Sequence, residues 1–300
     1  MRKISTLTLA SVLLACAPIA HAGSVFSELV VFGDSLSDIG NLAVDDPNYP
    51  PSPPYFDGRF SNGPVWAENL APQLGLGGSF QDFAKGFATT QDVLNDQVTP
   101  FVTGGGVDAT GLYALWAGPD DFMDVQSPGD TPALIAAAVA NISSSISALA
   151  GAGAQNILVG NMPNLGKTPL AINAGPLVVI GATAITTAFN DALDAELASL
   201  ESNLGLDLML LDAFAFGEAQ IAGSPGNGLT NVDTAFLDAT PLGPLDPDTF
   251  LFFDSVHPTA EGHRRLADFA FSTVVPEPAS ILLLAGGMVV TLRRRRATAL

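Results

Sequence analysis

Five short apolar runs alternate with segments of helical apolar spacing, and this alternation constrains the fold of the 300-residue chain most. The runs are 29–32, 80–84, 112–117, 156–159 and 206–211, and they read as buried strands. Trp66, Leu70 and Leu74 mark a helix over 65–74, and 92–101 suggests another. Leu134, Ala138, Ile142, Ile146 and Leu149 share one helix face, as do Ile185, Phe189, Leu193 and Leu197. A last helix spans 259–271, with Leu266, Phe269 and Ala270 inward. Strands alternating with helices predict an α/β chain with a five-stranded parallel sheet covered on both faces. Two loops rich in Gly, Pro or Asp, 43–64 and 222–249, interrupt the pattern without forming a second core. The first follows the first strand and is expected to overhang its end.

The two termini read differently from the body. Residues 1–22 have the form of a secretory signal: Arg2 and Lys3, an apolar stretch 4–17, then Ala20-His21-Ala22 as a small-x-small cleavage site. Residues 275–300 hold Pro276-Glu277-Pro278, an apolar segment 281–292 and four arginines, 293–296. That segment is shorter than the roughly 20 residues of a full span. Arginines on its cytoplasmic side suit a minimal, transient inner-membrane anchor. The body between, 23–274, carries only five of the eleven basic residues, against a whole-chain net charge of -19. So acidic a body excludes nucleic acid as a partner. Cys16 is the only cysteine and lies in the leader, so the processed chain has no disulfide or cysteine chemistry. No phosphate-binding loop or His-rich metal motif is present, and Asp45-Asp46 and Asp246 with Asp248 lack calcium-loop spacing. No metal and no cofactor is expected.

The first apolar run ends in Gly33-Asp34-Ser35-Leu36. A serine at the carboxyl edge of a parallel strand sits where open α/β sheets bind ligands. Ser35 is therefore a candidate nucleophile, although Gly-Asp-Ser is also ordinary turn chemistry. A serine hydroxyl needs a base. Once His21 leaves with the leader, His257 and His263 remain. His257 stands three residues after Asp254, within reach of a carboxylate that orients its ring. His263 is accounted for by a solvated helix face, which favours His257 as base.

These blocks resemble the GDSL (SGNH) lipase/esterase family. Gly33-Asp34-Ser35-Leu36, the stretch from Tyr55 to Trp66, and Phe253-Asp254-Ser255-Val256-His257-Pro258-Thr259 occur in the family's order over about 28–272. The ending resembles the PEP-CTERM sorting signal, which implies recognition and removal by an exosortase-type enzyme. It also implies a product that is secreted or displayed at the cell surface. The GDSL resemblance implies a three-layer α/β/α sandwich of flavodoxin-like order and ester hydrolysis through an acyl-serine. It gives Ser35 the role of nucleophile, His257 of base and then acid, and Asp254 of orienting carboxylate. It further implies an oxyanion hole from the Ser35 amide, a glycine amide and an asparagine side chain.

The last two positions depart from the family. The glycine aligns with Phe87, and the asparagine of Gly-x-Asn-Asp aligns with Asp120. An ionised aspartate only accepts hydrogen bonds and repels developing negative charge. Losing one hole donor costs about 2.7–4 kcal/mol, unless burial keeps Asp120 protonated. Two functions remain open: an active esterase, or a catalytically weakened SGNH-fold binding protein at the cell surface or in exopolysaccharide. The substrate is expected to be a small-molecule or lipid ester, or an acylated polysaccharide. Tyr55, Phe56, Phe236 and Leu237 of the two loops are candidates for contact with an acyl chain or, equally, with acetylated polysaccharide.

Overall fold

The computed structural model describes residues 25–123, 130–239 and 245–275; the leader, Cys16 and the segment from Pro276 onward lie outside them. All five expected strands form: β1 (Leu29–Gly33), β2 (Phe80–Asp82), β3 (Leu112–Trp116), β4 (Asn156–Gly160) and β5 (Leu208–Leu211). They pair in parallel in the order β2-β1-β3-β4-β5. This is flavodoxin-like order, with its switch point between β1 and β3.

Strand alternation divides the core between two faces. Val30, Phe32, Tyr113, Leu115, Ile157 and Val159 point to one side, where helices Thr131–Gly151 and Pro176–Leu204 cover them. Both helices are long and apolar enough to cross a membrane, yet each packs its inner stripe on the sheet. Leu29, Val31, Leu112, Ala114, Trp116 and Leu158 point to the other side, under helices Trp66–Gln73 and Ala260–Val274. The result is the expected three-layer sandwich.

The structure corrects several boundaries. β2 ends at Asp82; beyond it the Phe83 and Lys85 amides still donate to the Val31 and Gly33 carbonyls, while the Asn41 amide donates to the outward-facing Asp82 and Ala84 carbonyls. The 92–101 helix extends over 90–103 and contains a π-helical turn, Val93–Val98. Two helices outside the expected pattern, Pro169–Ala174 and Ala213–Gly223, follow β4 and β5 at the sheet's carboxyl edge. The 222–249 stretch includes two short helical turns, Phe236–Ala239 and Pro247–Thr249.

His263 is not on a solvated face; it is buried, 1% exposed. It shares the inner stripe of its helix with Leu266, Ala267 and Ala270, while Glu261, Arg264 and Asp268 pair on the outside. Among the described residues, neither ring nitrogen has a hydrogen-bond partner. Burial, helped by the charge of nearby His257, lowers its pKa to about 3. The unfolded chain binds a proton here near pH 6.5, whereas the folded chain does not until about 3. Stability therefore falls as pH drops below 6.5. His263→Leu should gain stability at pH 4.5 over pH 8 by about 2–3 kcal/mol. Urea unfolding of both proteins at the two pH values checks this; equal gains would refute it.

Candidate active site

The site begins with a close approach that only glycine permits. Gly33 pairs with Trp116 across β1 and β3, and a Cβ on Gly33 would lie 2.3 Å from the Trp116 carbonyl oxygen. Beyond β2 the Lys85 amide still donates to the Gly33 carbonyl at 3.0 Å, and the Gln97 side chain adds a second clamp. Its Nε2 donates to the Gly33 carbonyl at 2.8 Å, and its Oε1 accepts from the Gly33 amide at 2.9 Å. The chain then turns. Asp34 Oδ1 accepts from the Leu36 amide, and Ser37 and Asp38 amides donate to the Asp34 carbonyl. Ser35 is presented at the turn, 8% exposed, on the floor of a cavity.

Asp38 joins this turn to the Phe87 block. Its carboxylate accepts from the amides of Gly40, Asn41 and Leu42 and, across 48 residues, from Gly86 at 2.8 Å. The Gly86 amide is used in this way, whereas the next amide, that of Phe87, has no partner among the described residues. Phe87 has φ 66°, the left-handed region that glycine favours. The backbone has kept the glycine conformation despite the side chain, at a cost on the order of 1 kcal/mol. The Phe87 ring rests on Tyr49 and Phe60, with centroids 5.3 and 5.7 Å away.

The last block brings His257 to Ser35. Ser35 Oγ lies 2.8 Å from His257 Nε2, and His257 Nδ1 lies 2.8 Å from Asp254 Oδ2. Asp254 Oδ1 accepts from the Val256 and His257 amides, which fixes the carboxylate by its own loop. The Tyr55 hydroxyl donates to Asp254 Oδ2 at 2.7 Å. Burial alone would raise the Asp254 pKa, but the His257 ring and the two amides outweigh it and hold the carboxyl below its ordinary range. Thus Ser35, His257 and Asp254, 222 residues apart at the extremes, form one hydrogen-bonded line.

The 43–64 loop braces this line. Ser61 Oγ donates to the Pro258 carbonyl, the Ala260 amide donates to Asn62 Oδ1, and the Phe60 ring lies 4.9 Å from the His257 ring. Arg59 bonds Glu68, whose carboxylate also accepts from the Val65 amide. The expected acyl contact is therefore corrected for all four loop residues, none of which lines the cavity. Tyr55 faces Asp254, and Phe236 stacks on Phe253. The walls come instead from the segments after β3, β4 and β5 and from the last loop. Met123, Leu165, Phe216, Ile221, Phe252 and Val256 contribute to a cavity of about 510 Å3.

Asp120 also lines this cavity, together with Phe87. The neighbouring Asp121 is a helix cap: its carboxylate accepts from the Thr90 amide and hydroxyl. Asp120 has no such partner among the described residues. Burial raises its pKa to about 6, against the pull of His257 and with help from Asp121 and Asp92. Asp34 is wholly buried, with one carboxyl oxygen unpartnered. Burial, then the charge of Asp120, holds its pKa well above the ordinary range.

The model of the GDSL-like lipase/acylhydrolase family matches residues 29–270. The chain belongs to the GDSL-like lipase/acylhydrolase family. The PEP-CTERM protein-sorting motif matches residues 274–296, across the boundary expected from sequence. Among GDSL relatives, an esterase of Pseudomonas aeruginosa is 31% identical over 86% of this chain and 49% of its own length. The phosphatidylcholine-sterol acyltransferase of Aeromonas hydrophila is 33% identical over 60% of this chain and 56% of its own. The chain spans about half the length of these curated relatives. An acetyl xylan esterase superposes with a TM-score of 0.50 at 16% identity, covering 83% of this chain and all of that one. At such identity the likeness concerns the fold alone.

The raised Asp120 pKa has a measurable consequence. The folded state binds this proton more tightly than the unfolded state, so stability falls as pH rises from 3.8 to about 6. Asp120→Asn should be nearly neutral at pH 4 and stabilising above pH 6, by up to about 3 kcal/mol. Thermal unfolding across this range checks the prediction; a gain independent of pH would refute it.

Proposed function

We propose that this chain hydrolyses carboxylic esters through an acyl-Ser35 intermediate. The observation that carries this reading is the unbroken Ser35–His257–Asp254 hydrogen-bonded line at the floor of an apolar cavity. His257 Nε2 takes the Ser35 proton as Oγ forms a bond to the ester carbonyl carbon. The tetrahedral oxyanion collapses, the ester C–O bond breaks, and His257 returns the proton to the departing alcohol. Water then attacks the acyl-serine with His257 as base, releasing the acid and Ser35. Asp254 holds the ring in the tautomer that accepts at Nε2, and Tyr55 holds Asp254.

The free amides of Ser35 and Phe87 serve the oxyanion, the latter because its backbone retains the glycine conformation. Asp120 contributes a donor only when protonated, which its pKa of about 6 allows in mildly acid solution. With Asp120 ionised, the hole is short of one donor at neutral pH. The substrate class that suits the cavity is an ester with an apolar acyl chain; the names of the acyltransferase and esterase relatives agree with this. The sorting motif supports a body, 23–274, that is exported and then released or displayed by an exosortase-type enzyme.

Hydrolysis of p-nitrophenyl butyrate and octanoate tests the assignment. Ser35→Ala should lower turnover by at least about 10³-fold. Serine-independent activity, or none in wild type between pH 5 and 9, would instead favour the binding protein. Tyr55→Phe should lower kcat/KM roughly tenfold through loss of one charge-assisted hydrogen bond. Asp120→Asn should raise kcat at pH 8 by roughly tenfold or more and change it little at pH 5, where the aspartic acid already donates. Equal effects at both pH values would remove Asp120 from the hole.

A further inference from the structure

Helix Pro169–Ala174 and the first turns of helix Pro176–Leu204 pack together as a corner beside the cavity. The corner is apolar and outward-facing. Leu177 is 85% exposed and Ile180 65%, and Leu170, Ile172 and Val178 are exposed with them. From Thr168 to Asn190 no residue carries a charge, in a chain of net charge -19. Neither packing nor solubility explains so many exposed aliphatic side chains in one place.

The base of the corner is fixed. Asn164 Oδ1 accepts from Thr183 Oγ1 and from the Gly166 amide, and the Leu165 amide donates to Thr186 Oγ1. A Cβ on Gly166 would meet Thr183 Oγ1 at 2.1 Å, so turn and helix touch directly. The corner is also continuous with the site. The Leu170 amide donates to the Ser255 carbonyl, between Asp254 and His257, and Leu165, Lys167 and Thr168 line the cavity.

We propose that this corner seats on a zwitterionic lipid surface and holds the cavity mouth against it, so that the acyl chain of a membrane-borne ester enters without crossing water. The occupant follows from two observations. The corner adjoins, through Leu165, Lys167 and Thr168, a cavity most of whose wall is aliphatic or aromatic, so that a surface seated on the corner lies beside the cavity. The acidic body repels anionic surfaces, while an uncharged aliphatic corner loses nothing at a zwitterionic one. The inference rests on reading the cavity as an ester site and adds the form in which the ester is presented.

The test places an environment-sensitive fluorophore on Leu177→Cys in a Cys16→Ser background, with Ser202→Cys as control at the far end of the same helix, about 37 Å away. Addition of phosphatidylcholine vesicles should blue-shift the Leu177 probe and leave the Ser202 probe unchanged. Leu177→Glu with Ile180→Glu should lower hydrolysis of a vesicle-borne ester at least tenfold and keep soluble p-nitrophenyl butyrate within twofold. No shift at Leu177, the same shift at both probes, or equal loss on both substrates would overturn the proposal. A shift that follows protein concentration without lipid would overturn it in favour of a contact between two copies. Ser35→Ala should abolish hydrolysis yet keep the shift, so that failure of the ester reading and failure of the docking reading are told apart.

Discussion

Four backbone N–H groups converge on the carboxylate of Asp38, and the rest of the site depends on that convergence. Three come from the turn into 40–42 and one from Gly86. A buried carboxylate with this many donors is stable only while all of them stay in place. It therefore locks the Ser35 turn to the strand-end loop that carries Phe87. Gln97 performs the same service from behind by bonding both the amide and the carbonyl of Gly33, beside the Lys85 amide. Ser35 is thus held by contacts on every side of its turn, and its hydroxyl needs only His257 to be brought opposite.

Bringing His257 there is the task of the 43–64 loop. It does not reach over the cavity; it lies along the last loop, through Ser61, Asn62, Phe60 and Tyr55. The Asp254 carboxylate consequently has all its acceptor positions served: two amides, the imidazole and a phenol. Asp120 presents the opposite condition. It occupies the same cavity with no hydrogen-bond donor of its own among the described residues, and burial resists its ionisation. One carboxylate in the site is stabilised as an anion and another as an acid, by environment alone.

Much of this was legible in the sequence, because it is local. Apolar periodicity placed five strands and the long helices, and Gly-Asp-Ser and Asp-x-x-His stood at loop positions where a sheet edge uses them. His263 was misplaced only because its charge-rich neighbours Glu261, Arg264 and Arg265 obscured a stripe that Leu266, Ala267 and Ala270 continue. Other features carried no local signal. The Gln97 clamp depends on a π-helical turn and a partner 64 residues away. The partnership of Tyr55 with Asp254 spans 199 residues, and the composition of the loop suggested acyl contact instead. The helices 169–174 and 213–223 have no clear stripe because much of their surface faces the cavity or solvent rather than the sheet.

The α/β alternation, the two candidate blocks, the departures at Phe87 and Asp120, and the sorting segment are all written in short stretches of chain. These follow from short-range rules: backbone preference, side-chain period and residue chemistry. Packing between distant segments is what sets Ser35 and His257 2.8 Å apart, holds Phe87 in a glycine's backbone conformation, and raises the Asp120 pKa to about 6 by burial. It also decided which loops wall the cavity and which brace the histidine. Those outcomes depend on distance and dielectric between segments far apart in the chain, quantities that no window of sequence contains.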